Sequence, residues 1–142
     1  ERWTDELGAP LAIIHKRRDP DVPNQVKVFE VVGDVKGRVC VVVDDMIDTG
    51  GTIVSAAELL LERGAKEVWA MATHGVLSDP AVERLSNSPI SRVVLTNTLP
   101  LPAHKMFDKV EVLSVAKIIA DALAAVFDET SVSELFDGEN QS

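Results

Sequence analysis

Apolar positions along this chain switch between a strand-like and a helix-like period, and the switches outline its elements. Leu11-Ala12-Ile13-Ile14 is a short apolar run that reads as a buried strand delivering its far end to a basic cluster, Lys16-Arg17-Arg18. In Asp19-Pro20-Asp21-Val22-Pro23-Asn24 two prolines, each lacking a backbone donor, predict an exposed loop. Val26, Val28, Glu30 and Val32 with Lys27, Phe29 and Val31 form a β-branched run of imperfect alternation, a strand that can pair with the first as a hairpin. Past Gly37, Arg38-Val39-Cys40-Val41-Val42-Val43 is apolar without a break. Such a run predicts a strand covered on both faces, and so the central strand of a parallel sheet.

The period then lengthens. Ile53, Ala56, Ala57, Leu60 and Leu61 recur at helical spacing until Gly64 closes the helix, so the loop ending in Gly50-Gly51-Thr52 joins a strand to a helix. Val68 to Ala72 predicts a second buried strand, Val82 to Leu85 a short helix, Val93-Val94-Leu95 a third strand and Val110 to Leu113 a fourth. Val115 to Phe127 places Ile118, Ile119, Ala122, Leu123 and Val126 on one side of a final amphipathic helix, followed by a polar tail. Strands alternating with helices imply an α/β fold built on a parallel sheet flanked by helices. No internal repeat or low-complexity segment interrupts this order.

Composition narrows the function classes. A chain of 142 residues, 46% of them hydrophobic, can bury one core, which favours a single domain over residues 1–142. A formal charge of -9 repels nucleic acid and anionic membrane surfaces, which leaves small molecules as the expected partners. Cys40 is the only cysteine, so no internal disulfide can form, and a reducing, cytoplasmic setting is expected. No apolar run approaches the roughly 20 residues needed to span a bilayer, and Glu1-Arg2-Trp3-Thr4-Asp5-Glu6 lacks the apolar core of a signal peptide. The absence of an initiating methionine suggests a piece of a longer chain.

The densest chemistry follows the longest apolar strand. Asp44-Asp45-Met46-Ile47-Asp48-Thr49-Gly50-Gly51-Thr52 brings three carboxylates, two hydroxyls and two glycines to its carboxyl end, the edge of an open α/β sheet where ligands bind. Glycines let backbone approach an anion, and the first amides of the next helix point outward unpaired. Thr49 and Thr52 can add hydroxyl donors. A phosphomonoester seated there would carry its sugar beside Asp44 and Asp45, whose carboxylates accept hydrogen bonds from vicinal hydroxyls. The implied ligand is a sugar phosphate. The plainer alternative is that Asp48 and Thr49 only cap the helix and that Asp44-Asp45 is a solvated turn. A nucleotide P-loop is excluded, because its pattern needs a lysine where Thr52 stands.

The Asp44–Thr52 segment closely resembles the 5-phosphoribosyl 1-diphosphate motif shared by type I phosphoribosyltransferases and ribose-phosphate pyrophosphokinases. The resemblance implies that Asp44 and Asp45 contact ribose hydroxyls, and that Asp48, Thr49, Gly50, Gly51 and Thr52 surround the 5-phosphate. Lys16-Arg17-Arg18, followed by a proline-bearing loop, looks like the basic start of the flexible catalytic loop of the pyrophosphokinases, which the transferases lack. Lys16 and Arg18 are two apart on an extended chain and so share a face. By resemblance both stabilise the transition state of diphosphoryl transfer, as fixed cations do for charge spread over phosphate oxygens, and Arg18 also touches ribose 5-phosphate. A solvated basic turn is the alternative for this cluster taken alone.

Further similarity lies in Ala72-Thr73-His74-Gly75-Val76-Leu77-Ser78, in Thr96-Asn97-Thr98-Leu99-Pro100, and in Ser131-Val132-Ser133-Glu134-Leu135-Phe136, so the resemblance spans nearly the whole chain. His74 is read as a strand-end histidine bonded to its loop, not as a catalytic group. In the family, Ser131, Ser133 and Phe136 match a segment that helps build an allosteric phosphate or ADP site between subunits. The fold implied is that of type I phosphoribosyltransferases, with a flexible loop or hairpin after the first strand. The activity implied is synthesis of 5-phosphoribosyl 1-diphosphate and AMP from ATP and ribose 5-phosphate, with Mg²⁺, in a homohexamer. The family's amino-terminal half, which holds most of the ATP site and the metal-binding residues, has no counterpart here, so this segment is expected to be the carboxy-terminal domain of a two-domain enzyme, without metal ligands of its own and inactive by itself. The rival readings are a type I phosphoribosyltransferase and a non-catalytic regulatory homologue; an intact Lys16, Arg18 and phosphate loop argue against degeneration.

Overall fold

The computed structural model describes residues 2–17 and 28–133. Along the chain run α1 (Arg2–Leu7), β1 (Ile13–Arg17), β2 (Val28–Val32), β3 (Val39–Ile47), α2 (Gly51–Glu62), β4 (Glu67–Gly75), α3 (Ala81–Ser86), β5 (Arg92–Thr96), a 3₁₀ turn at Ala103–Lys105, β6 (Val110–Leu113) and α4 (Ala116–Phe127). Strands β3 to β6 form one parallel sheet in the order β3-β4-β5-β6, each paired with its neighbour in sequence. The expected parallel α/β sheet flanked by helices is therefore present.

Two expectations about the strands are corrected. Among the described residues the run Val39–Val43 is an edge strand rather than the centre of the sheet, since β3 pairs there with β4 alone. Its side chains alternate: Cys40 and Val42 pack against the core, while Val39, Val41 and Val43 remain 48%, 43% and 47% exposed. An apolar run cannot reveal which of its faces is covered, and the strand buried along Val93-Val94-Leu95 is β5. The first strand, expected to be buried, is covered on one face only, and it lies outside the parallel sheet in the hairpin that the sequence allowed. It forms an antiparallel pair with β2, with Ile13 opposite Val32 and Arg17 opposite Val28. Ile14 packs on the core while Ile13 is exposed, as the pleat of a ribbon with one covered face requires. The hairpin after the first strand is thus found, with the basic residues Lys16 and Arg17 inside β1.

The core lies between the sheet and its helices. Ile53, Ala57 and Leu60 of α2 meet Val68, Ala70 and Ala72 of β4, and Leu77 and Leu85 close it against Val93 and Leu95. Each Val or Leu so buried contributes about 1.5–3 kcal/mol relative to exposure. Gly64, at φ +90, ends α2 as the sequence predicted. The last helix departs from expectation: α4 forms, yet Ile118, Ile119, Leu123 and Val126 are each more than half exposed and only Ala125 is buried. No helix among the described residues is long and apolar enough to cross a membrane.

Candidate functional site

Strand β3 does not stop at Val43. It continues through both aspartates to Ile47, with Asp44 opposite Ala72 and Met46 opposite His74 in the register with β4. The carboxylate of Asp44 accepts the backbone N–H of Asp45 at 2.9 Å, and that of Asp45 accepts the N–H of Met46 at 2.8 Å. Each pair takes only part of a carboxylate's acceptor capacity, which leaves both exposed groups able to receive sugar hydroxyls.

Ile47, 2% exposed, anchors the entrance to the loop. Its carbonyl accepts the amides of Val76 at 3.1 Å and Leu77 at 3.0 Å, so the segment after β4 pins the point where Asp48 begins. Asp48 and Thr49 are exposed, and Gly50 is buried. Gly50 occupies the left-handed region at φ +73, where a side chain is strained, and a Cβ there would also lie 3.3 Å from Leu85 Cγ. These two facts together explain why glycine stands at this position.

Helix α2 opens at Gly51 with Gly50 as its cap residue, and no side chain caps it. The plainer alternative, in which Asp48 and Thr49 only cap the helix, is therefore not met. Val54 is the first amide to bond within the helix, to Gly50 O at 3.1 Å, so the amides of Gly51, Thr52 and Ile53 have no partner inside it. The first turn carries no acidic residue to oppose their positive end. Unpaired amides, a first turn without an acidic residue and the hydroxyls of Thr49 and Thr52 therefore stand together at this helix start, features that favour an anion.

Sequence reasoning missed one partner of this loop. Arg84, on α3, donates from Nη1 to the carbonyl of Thr49 at 2.5 Å. It faces Thr49, Gly51, Thr52, Ser55 and Glu58 across an open groove of about 590 Å³. The two residues are 35 apart in sequence, and no local pattern relates them.

The ends of β4 and β5 are tied together beside the aspartates. Thr96 and Thr98 donate to Thr73 O at 2.7 and 2.9 Å, and His74 Nδ1 lies 2.9 Å from Thr98 Oγ1. This supports the reading of His74 as a structural, loop-bonded histidine. Asn97 accepts the amide of Val115 at 2.9 Å and so joins the end of β5 to the start of α4.

Of the remaining residues singled out from the sequence, Lys16 lies in β1 opposite Phe29, and Arg18 lies outside the described residues. Ser131 and Ser133 sit together after α4, their hydroxyls 2.5 Å apart, whereas Phe136 lies outside the described residues. Among the described residues no three His, Cys, Asp or Glu side chains gather in a way that could hold a metal ion.

Comparison with known proteins agrees with this geometry. Residues 9–137 match the family model described as the phosphoribosyl synthetase-associated domain. A ribose-phosphate pyrophosphokinase of Streptomyces avermitilis is 62% identical over 137 residues, which cover 96% of this chain and 42% of that protein. One from Mycobacterium tuberculosis is 56% identical over 140 residues, covering 98% of this chain and 43% of the relative. The crystal structure of phosphoribosylpyrophosphate synthetase from Mycobacterium smegmatis superimposes with a TM-score of 0.80 at 50% identity, over 90% of this chain and 40% of that one. The chain spans about two-fifths of the length of the relatives it matches. Sequence and fold together make this chain a member of the phosphoribosyl synthetase family, the family of the ribose-phosphate pyrophosphokinases.

Proposed function

We propose that this chain is the carboxy-terminal, ribose 5-phosphate-binding domain of an ATP:ribose-5-phosphate diphosphotransferase, which makes 5-phosphoribosyl 1-diphosphate and AMP. The observation that carries the reading is the loop Asp48–Thr52: an uncapped helix start behind a buried glycine, with two exposed carboxylates immediately before it on β3. The phosphate docks on the amides and hydroxyls of Thr49 to Thr52, and Asp44 and Asp45 receive the ribose hydroxyls. That arrangement holds the sugar by both ends and leaves its 1-hydroxyl as the free nucleophile.

In the transfer, the sugar's 1-oxygen bonds to the β-phosphorus of ATP while the bond from that phosphorus to the oxygen bridging the α-phosphate breaks. AMP departs with the bridging oxygen, and the hydroxyl proton is lost to solvent. Lys16 and Arg18 stabilise the charge that accumulates on the transferring oxygens. The rest of the protein supplies the nucleotide site. Magnesium is expected to arrive on the phosphates of ATP, as this ion commonly does. A hexameric assembly, an allosteric anion site involving Ser131, Ser133 and Phe136, and a cytoplasmic setting belong to the same reading.

Titrating the full-length protein with ribose 5-phosphate and with ribose, while following backbone amide shifts, tests the assignment. Binding of the phosphate ester with shifts centred on residues 44–52, and much weaker binding of ribose, is expected. Shifts centred elsewhere, or equal affinity for the two sugars, would overturn it.

A further inference from the structure

We propose that Arg84 is a positioning residue for the phosphate loop, holding the Thr49–Gly50 peptide so that its amide, and not its carbonyl, faces the bound anion. The proposal rests on the reading of Asp48–Thr52 as the sugar-phosphate loop and adds to it a part that no motif in the sequence contains.

An anion site built from backbone requires carbonyl oxygens to be turned away, because they carry the same sign of partial charge as the ligand. In a planar trans peptide the C=O and the following N–H point in opposite directions. A group that grips the Thr49 carbonyl therefore also sets the direction of the Gly50 amide. Arg84 Nη1 provides that grip at 2.5 Å, from a helix that does not belong to the loop. A charged donor to a carbonyl is roughly twice as strong as a neutral one, which suits it to fixing a peptide plane that Gly50, at φ +73, would otherwise leave free to rotate.

Two further observations point the same way. A Cβ on Gly51 would lie 3.2 Å from Arg84 Nη1, so the second glycine of the motif leaves room for the guanidinium, although its own backbone does not demand glycine. Leu85, the next residue on α3, is fully buried and comes within 3.3 Å of where a Cβ on Gly50 would sit. One turn of α3 thus explains both glycines, Gly50 through Leu85 and Gly51 through Arg84. Arg84 also pairs with no carboxylate among the described residues. Its charge, held in no such ion pair, adds to the positive end of α2.

The test compares Arg84→Ala, Gly51→Ala and the double variant in the full-length protein, measuring dissociation constants for ribose 5-phosphate and ribose together with turnover at saturating sugar phosphate. Arg84→Ala should weaken ribose 5-phosphate by about 10-fold, leave ribose unchanged and keep turnover within about two-fold, a KM effect without a kcat effect. Gly51→Ala should mimic it in the native background and cost clearly less once Arg84 is gone, since the clash partner is absent. Arg84→Gln, which keeps the bulk but not the charge, repeats the comparison if Arg84→Ala does not fold. Unchanged ribose 5-phosphate affinity, equal losses for ribose, or strictly additive effects of the two substitutions would overturn the proposal. Failure of the underlying reading would look different, because the native protein itself would then not prefer the phosphate ester over ribose.

Discussion

Replacing Gly50 by alanine tests the loop's construction most directly, because a matched control exists in the same chain. Gly50 lies at φ +73 and Gly37 at φ +71, but a Cβ at Gly50 meets Leu85 Cγ at 3.3 Å whereas one at Gly37 meets nothing within 4 Å. Both substitutions incur the left-handed penalty of about 1–2 kcal/mol. Only Gly50→Ala must also push a fully buried leucine aside by a few tenths of an ångström, in a core without slack, at about 1 kcal/mol more. Gly50→Ala should therefore cost about 2–3 kcal/mol and Gly37→Ala about 1–2 kcal/mol. For a chain of this size melting by itself the first corresponds to a fall of roughly 8–12 °C in Tm, and in the longer full-length protein to a smaller fall in the same order. Thermal melts of the full-length protein followed by circular dichroism, with and without ribose 5-phosphate, give both stability and ligand linkage. Gly50→Ala should lose most of the ligand-induced rise in Tm, and Gly37→Ala should keep it. If the two variants melted alike, the contact with Leu85 would have no energetic weight; if Gly50→Ala kept the full ligand-induced rise, the loop's peptide geometry would not be what holds the phosphate.

Three other outcomes are expected. Lys16→Ala and Arg18→Ala in the full-length enzyme should each lower turnover by about 10² to 10³, far more than they weaken ribose 5-phosphate binding, and a near-normal rate in single-turnover assays would remove the residue from the catalytic role. Asp44→Asn should raise KM for ribose 5-phosphate because the amide presents a donor where a sugar hydroxyl needs an acceptor, whereas Asp48→Asn should weaken the phosphate ester more than ribose; equal losses for both sugars would show that Asp48 has no phosphate-specific part. Burial raises the Cys40 thiol above its ordinary pKa, against a smaller lowering by Arg38, so its thiolate forms at higher pH in the folded than in the unfolded chain. Its stabilising contribution is complete below the unfolded pKa and is lost as pH rises through the folded one, and a folded alkylation midpoint no higher than the unfolded one would contradict this.

Much of this architecture was legible in the residues. The helical spacing of Ile53, Ala57 and Leu60, its stop at Gly64 and the strand at Val93–Leu95 all appear where periodicity put them, because each is a local pattern facing one continuous core. The position of β3 was not legible, since Val39–Val43 reads the same whether one or two of its faces are covered. The sequence allowed the pairing of β1 with β2, but it put Lys16 beyond the end of the strand, whereas Lys16 lies within β1, because strand ends are set by the pairing partner and not by the apolar run alone. Within the site, the loop residues are contiguous and were found together. Arg84 was not, because its contact with Thr49 is made by the folding of α3 against α2 and leaves no trace in spacing.

The edge of β3 that no described residue shares also bears on how the chain behaves in solution. One face of β3 exposes Val39, Val41 and Val43, and among the described residues one edge of the strand has no partner; an open edge beside apolar side chains is a template on which another extended segment can be laid. The charge of -9 opposes such encounters at long range, but that protection extends only about 10 Å at 0.1 M salt and shrinks to about 3 Å at 1 M. Handled by itself, this polypeptide is thus a colloid whose shelf life depends on ionic strength. It should remain dispersed in dilute buffer and self-associate as salt is added, and a lysine in place of Val41 should blunt that response.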